Sequence, residues 1–244
     1  GARVDRSTAR QEGLNDHPIE PVLAGTMPDG PIEIVENDLR FVIDPQFGQK
    51  TGFYCDQRDN RRVAAAWARG RSVLDLYCYT GGFSLNAIKH GGAIECLGID
   101  SSSTAIAFAE QNALLNGIIN AKFQEGDVFE TLEELREAQR RFGMIVCDPP
   151  KFARSPQTLE DGLKGYLRLN QGAVELLESE GILVTCSCSG LVDRGLFAEV
   201  LSQVAERSGR AIQIVEQRGA AGDHPISTSC LESEYLKCFI CRVV

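Results

Sequence analysis

Val73-Leu74-Asp75-Leu76-Tyr77-Cys78-Tyr79-Thr80-Gly81-Gly82-Phe83-Ser84 joins an apolar, strand-like run to a helix through a pair of glycines. Glycines there let backbone approach a ligand at the carboxyl edge of a sheet, which is where open α/β folds bind. About 20 residues on, Gly98-Ile99-Asp100 closes the next apolar run with an acid, placed to accept hydrogen bonds from a ribose diol. Gly126-Asp127-Val128-Phe129 follows the third run, where an adenine would be recognised. Each signal alone is an ordinary turn or helix cap. In this order they describe a nucleoside-bearing cofactor held by Tyr79, Thr80, Gly81, Asp100, Ser101, Asp127 and Val128. The glycine run lacks the full GxGxxG arrangement, which counts against a nicotinamide enzyme.

Working outward, strands are expected at about 72–77, 94–99, 121–125, 143–148, 181–187, 211–216 and 235–243, with helices near 82–90, 102–116, 128–140, 163–178 and 192–207. Strict alternation of this kind implies an α/β fold with a mostly parallel sheet covered on both faces. Upstream, Ile32 and Ile34, then Leu39, Phe41 and Ile43, alternate with polar residues around Asn37-Asp38, the pattern of a tight hairpin. An Ala-rich helix is expected around Val63 to Ala68, and residues 1 to about 30, rich in Gly and Pro, read as an extended arm. The expected division is a linker and hairpin extension over 1–62 and a catalytic domain over 63–244.

With 43% hydrophobic and 24% charged residues, the chain can bury a full core. No apolar run approaches the roughly 20 residues that span a bilayer, and the first ten residues lack a signal-peptide pattern, so a soluble, cytoplasmic protein is expected. Nine cysteines sit mostly in apolar runs and read as small buried hydrophobes in a reducing compartment. Paired CxxC knuckles are missing and the three histidines lie far apart, so no metal is expected. A formal charge of −9 argues against coating nucleic acid by charge alone. The best local basic stretch is Lys50 to Arg62, which as a charge run alone reads more often as a solvated face than as a binding site.

Two further runs carry chemistry. Asp148-Pro149-Pro150-Lys151 and Ser187-Cys188-Ser189-Gly190 each close an apolar strand, some 40 residues apart. The chain resembles the cytosine-C5 methyltransferases of large-subunit ribosomal RNA, which carry a PUA domain ahead of a hairpin region and a class I, Rossmann-like catalytic domain. The matching stretches are Gly48 to Tyr54 with Asp56-Gln57-Arg58, Tyr79 to Ser84, Val146 to Phe152, Ser187 to Gly190, Asp223-His224-Pro225 and Tyr235-Leu236-Lys237. The resemblance implies a seven-stranded sheet with an antiparallel last strand, S-adenosylmethionine as cofactor and ribosomal RNA as partner. It also implies that the N-terminal PUA domain is absent from this piece. It places Gln57 and Arg58 near the methionine end of the cofactor and makes Cys188 the nucleophile, with Cys186 packed in its strand.

The chemistry fits such an assignment. A pyrimidine C5 is a poor nucleophile, and thiolate attack at C6 pushes electron density onto it. Asp148, counted among the cofactor-binding residues as well, would meet the N3 and N4 edge of a flipped cytidine. Lys151 or the helix after Cys188 could depress the thiol's pKa, and His224 is a candidate base only by elimination. Methylation of a guanine or adenine nitrogen, a catalytically silent RNA-binding module and self-association of the chain all remain open at this point.

Overall fold

The computed structural model describes residues 25–26, 28–45 and 52–244. Most of the expected arm, together with Lys50 and the Gly48 to Thr51 stretch, lies outside them. The chain clusters into two compact units, Gly1–Ile34 with Val42–Tyr54, and Val35–Phe41 with Cys55–Val244.

The hairpin forms as its alternation requires, with β1 at Ile32–Glu36 and β2 at Leu39–Ile43. Asn37 and Asp38 both take positive φ, 51° and 59°, the two left-handed residues that let a two-residue turn follow the twist of its strands. Within the larger unit the hairpin tip is fastened by Asn37, whose amide donates to the Arg58 carbonyl (3.1 Å) and Asn86 Oδ1 (3.2 Å).

The large sheet contains β3 (Ser72–Leu76), β4 (Glu95–Asp100), β5 (Ala121–Glu125), β6 (Phe142–Cys147), β7 (Leu177–Ser187), β8 (Ile212–Arg218) and β9 (Lys237–Val243). Their order is β5-β4-β3-β6-β7-β9-β8; β9 is antiparallel to both neighbours and the other pairs are parallel. All six residues of β6 are buried, as a central strand covered on both faces demands. The helices are α1 (Arg58–Ala65), α2 (Gly82–Lys89), α3 (Ser103–Leu115), α4 (Val128–Glu137), α5 (Leu159–Leu176) and α6 (Arg194–Ser208). Alternating strand residues sort into two cores. Ile145, Cys147, Leu183 and Phe239 pack with α4, α5 and α6, while Met144, Val146, Val184 and Ile240 pack with α1 and α2. Among the described residues no helix is long and apolar enough to cross a membrane.

Two elements depart from the sequence expectation. The first helix starts at Arg58 rather than near Val63, because Asn60 and Arg61 are buried on the same face as Ala64 and Ala65. Strand β7 begins at Leu177, inside the expected helix, because Leu177 pairs with Phe142 before a register shift and a positive φ of 60° at Glu180.

The buried Arg61 explains the first shift. Its guanidinium meets Glu36 at 2.7 Å with both side chains about 5% exposed (5% and 6%), so this member of the basic stretch is an internal ion pair. Burial raises the Glu36 pKa, and the neighbouring Arg61 charge pulls it back down. The guanidinium also lies over Gly82, where a Cβ would come within 2.6 Å of Nε. Removing one charge leaves the other buried, so Arg61→Met should cost about 3–5 kcal/mol in urea denaturation, and Glu36→Leu added to it should recover most of that loss. A cost within about 0.5 kcal/mol, typical of surface positions, would show that the pair is not an internal one.

Candidate active site

The order of strands decides where a ligand can sit. Strand β3 has β4 on one side and β6 on the other, so the connections leaving its carboxyl end diverge and open a crevice there. The loop from Tyr77 to Gly81 and the run after Cys147 both lie at that switch point. Asp148 N–H reaches the Leu76 carbonyl at 3.4 Å.

The Tyr77–Gly81 loop is strained. Tyr77 (φ 65°), Tyr79 (φ 50°) and Gly81 (φ 84°) are all left-handed, which is rare for bulky residues. Its geometry is over-determined from below: a Cβ on Gly81 would lie 3.1 Å from the Phe123 ring, and one on Gly98 would lie 2.6 Å from it. Asp100 completes the turn, accepting from Tyr79 N–H at 2.9 Å and from Ser102 N–H at 3.0 Å. Ser101 is exposed beside it. Buried polar atoms are left wanting partners here, with Thr80 Oγ1 and Asp75 Oδ1 unsatisfied among the described residues. Asp75 lies wholly in the interior. Burial pushes its pKa up to about 7, against the pull of Ser84, whose N–H and hydroxyl both donate to Oδ2.

The third cofactor signal has a structural duty as well. Asp127 Oδ1 caps α4, accepting from Phe129 N–H (2.8 Å) and Glu130 N–H (3.1 Å), while Val128 is buried behind it.

Asp148 and Cys188 come together because β6 and β7 run side by side in register, Cys147 opposite Thr185. Cys188 Sγ lies 4.0 Å from the Pro149 carbonyl. Its neighbours hold it: Ser187 Oγ donates to Tyr166 Oη (3.0 Å) and Ser189 Oγ to the Ala153 carbonyl (2.6 Å). Both serines are fully buried, so the alternation of the strand end turns the intervening thiol toward a partly open position. Cys186 is buried and opposite Cys238; the hydrogen bond between them, and burial, push its pKa well up. Cys147 is likewise buried, and burial raises its pKa.

Asp148 is oriented by a chain of side chains. Arg218 Nε donates to Asn60 Oδ1 (3.0 Å), Asn60 Nδ2 to Gln57 Oε1 (2.7 Å), and Gln57 Nε2 to Asp148 Oδ1 (2.9 Å). The chain fixes which end of the Gln57 amide faces the acid. Gln57 therefore stands at Asp148. Arg58 pairs with Asp59 (3.1 Å) and Asp223 (3.0 Å) and is 37% exposed at its side chain. His224, exposed, shares Asp223 at 3.2 Å.

Sequence reasoning gave Lys237 no role of its own, yet the fold buries it at this strand end. Lys237 opens β9 opposite Ser187 and is 1% exposed; burial lowers its pKa to about 8. Lys151, the lysine considered from sequence, is exposed. A cavity of about 600 Å³ adjoins this strand end, lined by Gly190, Asp193, Arg194, Thr228, Glu232 and Lys237 among others. Among the described residues no cluster of metal-ligating side chains occurs.

A strained strand-to-helix loop, an acid at the next strand end and a second acid at the switch point define a Rossmann-like domain of the nucleoside-cofactor-binding kind. The family model for S-adenosylmethionine-dependent methyltransferases matches residues 16–229, and the chain belongs to that family. It is 43% identical over 243 residues to Ribosomal RNA large subunit methyltransferase I of Aeromonas hydrophila and 42% identical over 243 residues to that of Shewanella denitrificans. Those alignments cover 98% and 99% of this chain but 60% of each relative, so the chain spans about three fifths of the curated proteins it matches. Among solved structures, a candidate methyltransferase complexed with SAH superposes with a TM-score of 0.81 at 24% identity, over 90% of this chain and 58% of that one. Trm5b from Pyrococcus abyssi does so with a TM-score of 0.66 at 19% identity, over 90% and 57%. At those identities the likeness is one of fold.

The residues present fit the family's cofactor: the strained loop, the carboxylate of Asp100 and the unsatisfied Thr80 Oγ1 and Asp75 Oδ1 offer polar groups to a nucleoside and an amino acid. Asp75 also yields a pH signature. Because its folded pKa lies near 7 and its ordinary value is 3.8, its protonated form contributes stability that is complete below 3.8 and lost as pH rises through about 7. In the cofactor-free chain, Asp75→Asn should remove that decline from urea midpoints measured across this window. An identical pH slope in both proteins would show that Asp75 titrates normally.

Proposed function

We propose that this chain is the catalytic portion of an enzyme that methylates C5 of a cytidine in large-subunit ribosomal RNA through a transient bond between Cys188 and C6. The observation that carries the reading is the placement of a partly open thiol beside the Asp148-Pro149 carbonyl edge, with buried serines on either side. A nitrogen target would need only positioning of a lone pair, and this arrangement supplies a nucleophile as well. The curated relatives bear the name of a large-subunit ribosomal RNA methyltransferase, which supports RNA as substrate and the cytoplasm as the place of work.

Each residue then has a task. Cys188, as thiolate, adds to C6 of a cytidine turned out of its helix, since the ring face cannot be reached within the stack. Asp148, held by Gln57, hydrogen-bonds the N3 and N4 edge and stabilises the charge that addition places in the ring. When bound, S-adenosylmethionine would supply the electrophilic methyl group, and Tyr79, Thr80, Gly81, Asp100, Ser101, Asp127 and Val128 would hold it. With the methyl on C5, the C5 proton passes to water and the C6–sulfur bond breaks, which restores the ring double bond and returns Cys188 as thiolate.

Cys188→Ala should lower methyl incorporation into large-subunit ribosomal RNA by at least about 10³-fold, while equilibrium binding of S-adenosylmethionine stays within about twofold. Nucleoside mass spectrometry of the wild-type product should show 5-methylcytidine. Undiminished transfer by the variant, or a methylated purine as product, would instead assign a nitrogen methyltransferase; failure of the wild type to bind the cofactor would assign a silent module.

A further inference from the structure

Burial of a lysine at the end of a strand calls for a reason. Taking an ammonium out of water costs several kcal/mol unless charge and hydrogen bonds compensate. Lys237 Nζ donates to the Ser189 carbonyl (2.5 Å) and the Tyr235 carbonyl (2.8 Å), which occupies two of its three protons. Two neutral carbonyls hold the head group in place, yet they do not supply a negative charge. The acids nearby are committed elsewhere: Glu234 meets Arg194 at 2.7 Å and Asp193 caps α6 by accepting from Leu196 N–H at 2.8 Å.

The geometry points to Cys188 as the counter-charge. Lys237 lies opposite Ser187 across the β7–β9 pair, and its Nζ bond to Ser189 clamps the backbone on the far side of Cys188. We infer that Lys237 is a positioning residue that holds the Cys188 strand end and stabilises the thiolate as its ammonium partner, making the sulfur nucleophilic near neutral pH. On ionisation the proton leaves Sγ for bulk water and Lys237 keeps its own. The charged and titratable groups facing Lys237 are Cys188, Glu234, Arg194 and Asp193, with burial lowering its pKa and the Cys188 charge the strongest influence raising it. Those facing the thiol include Asp148 across the β6–β7 pair, whose negative charge opposes ionisation and which Lys237 has to outweigh, and Tyr166 and Tyr235, both pushed up in pKa chiefly by burial and kept neutral, so neither adds a second anion. Tyr235 donates its hydroxyl to Asp56 Oδ2 at 2.6 Å, which anchors the segment leading into Lys237.

This inference deepens the methyl-transfer reading and is tested without turnover. Alkylation of Cys188 by iodoacetamide is followed by peptide mass spectrometry as a function of pH, with free glutathione as the reference thiol. In the wild type the midpoint should fall below that of glutathione. In Lys237→Gln, with the fold verified by circular dichroism, it should move upward and the rate at neutral pH should drop about tenfold, one pKa unit of thiolate fraction. An unchanged profile in a folded variant overturns the role. Should Lys237→Gln not fold, the wild-type curve decides alone: a midpoint at or above that of glutathione overturns the proposal. Methyl transfer surviving Cys188→Ala would refute the reaction while leaving this curve intact, so the two failures are distinguishable.

Discussion

The constraint on which the site depends is the register between β6 and β7. Pairing Cys147 with Thr185 brings two strand ends to the same height, so that the Asp148-Pro149 turn and the Ser187-Cys188-Ser189 turn face one another. Because side chains alternate along a strand, a slip of one residue would bury Cys188 and expose Ser187 or Ser189. The register is guarded from both sides. Tyr166 accepts from Ser187, the Ala153 carbonyl accepts from Ser189, and β9 pairs with β7 from Gly181 to Ser187.

The aromatic packing behind the strand ends reinforces that arrangement. Tyr77, Phe152, Tyr166, Phe197 and Phe239 form successive ring contacts with centroids 4.9 to 6.4 Å apart. They link the strained cofactor loop, the segment after Asp148-Pro149-Pro150, α5, α6 and β9. Edge and tilted ring pairs of this kind add directional stability to area burial. The loop that must tolerate left-handed Tyr77 is thus tied to the helix residue that orients Ser187. Function tolerates the strain because rigid packing on both sides leaves the loop little alternative.

Much of this was legible in the sequence. The alternation of strands and helices from Ser72 onward, the hairpin turn at Asn37-Asp38 and the antiparallel last strand follow from periodicity, turn chemistry and family resemblance. Less legible were features whose meaning depends on partners far along the chain. Arg61 looked like one member of a basic run until Glu36 enclosed it, and Gln57 owes its position to Asp148 through 91 residues of separation. Lys237 showed one local sign, a charge heading the otherwise apolar run from Cys238 to Cys241, but an edge lysine would look the same. Only the β7–β9 pairing identifies it as an interior residue.

The account is tested most directly by trapping the covalent bond. Fluorine at C5 cannot leave as a cation in place of the proton, so elimination is blocked once methyl transfer has occurred. Large-subunit ribosomal RNA bearing 5-fluorocytidine, incubated with the protein and S-adenosylmethionine, should give an adduct that survives denaturation and maps by peptide mass spectrometry to Cys188. An adduct at Cys186, or methylated RNA with no adduct at all, would contradict the role assigned to that sulfur.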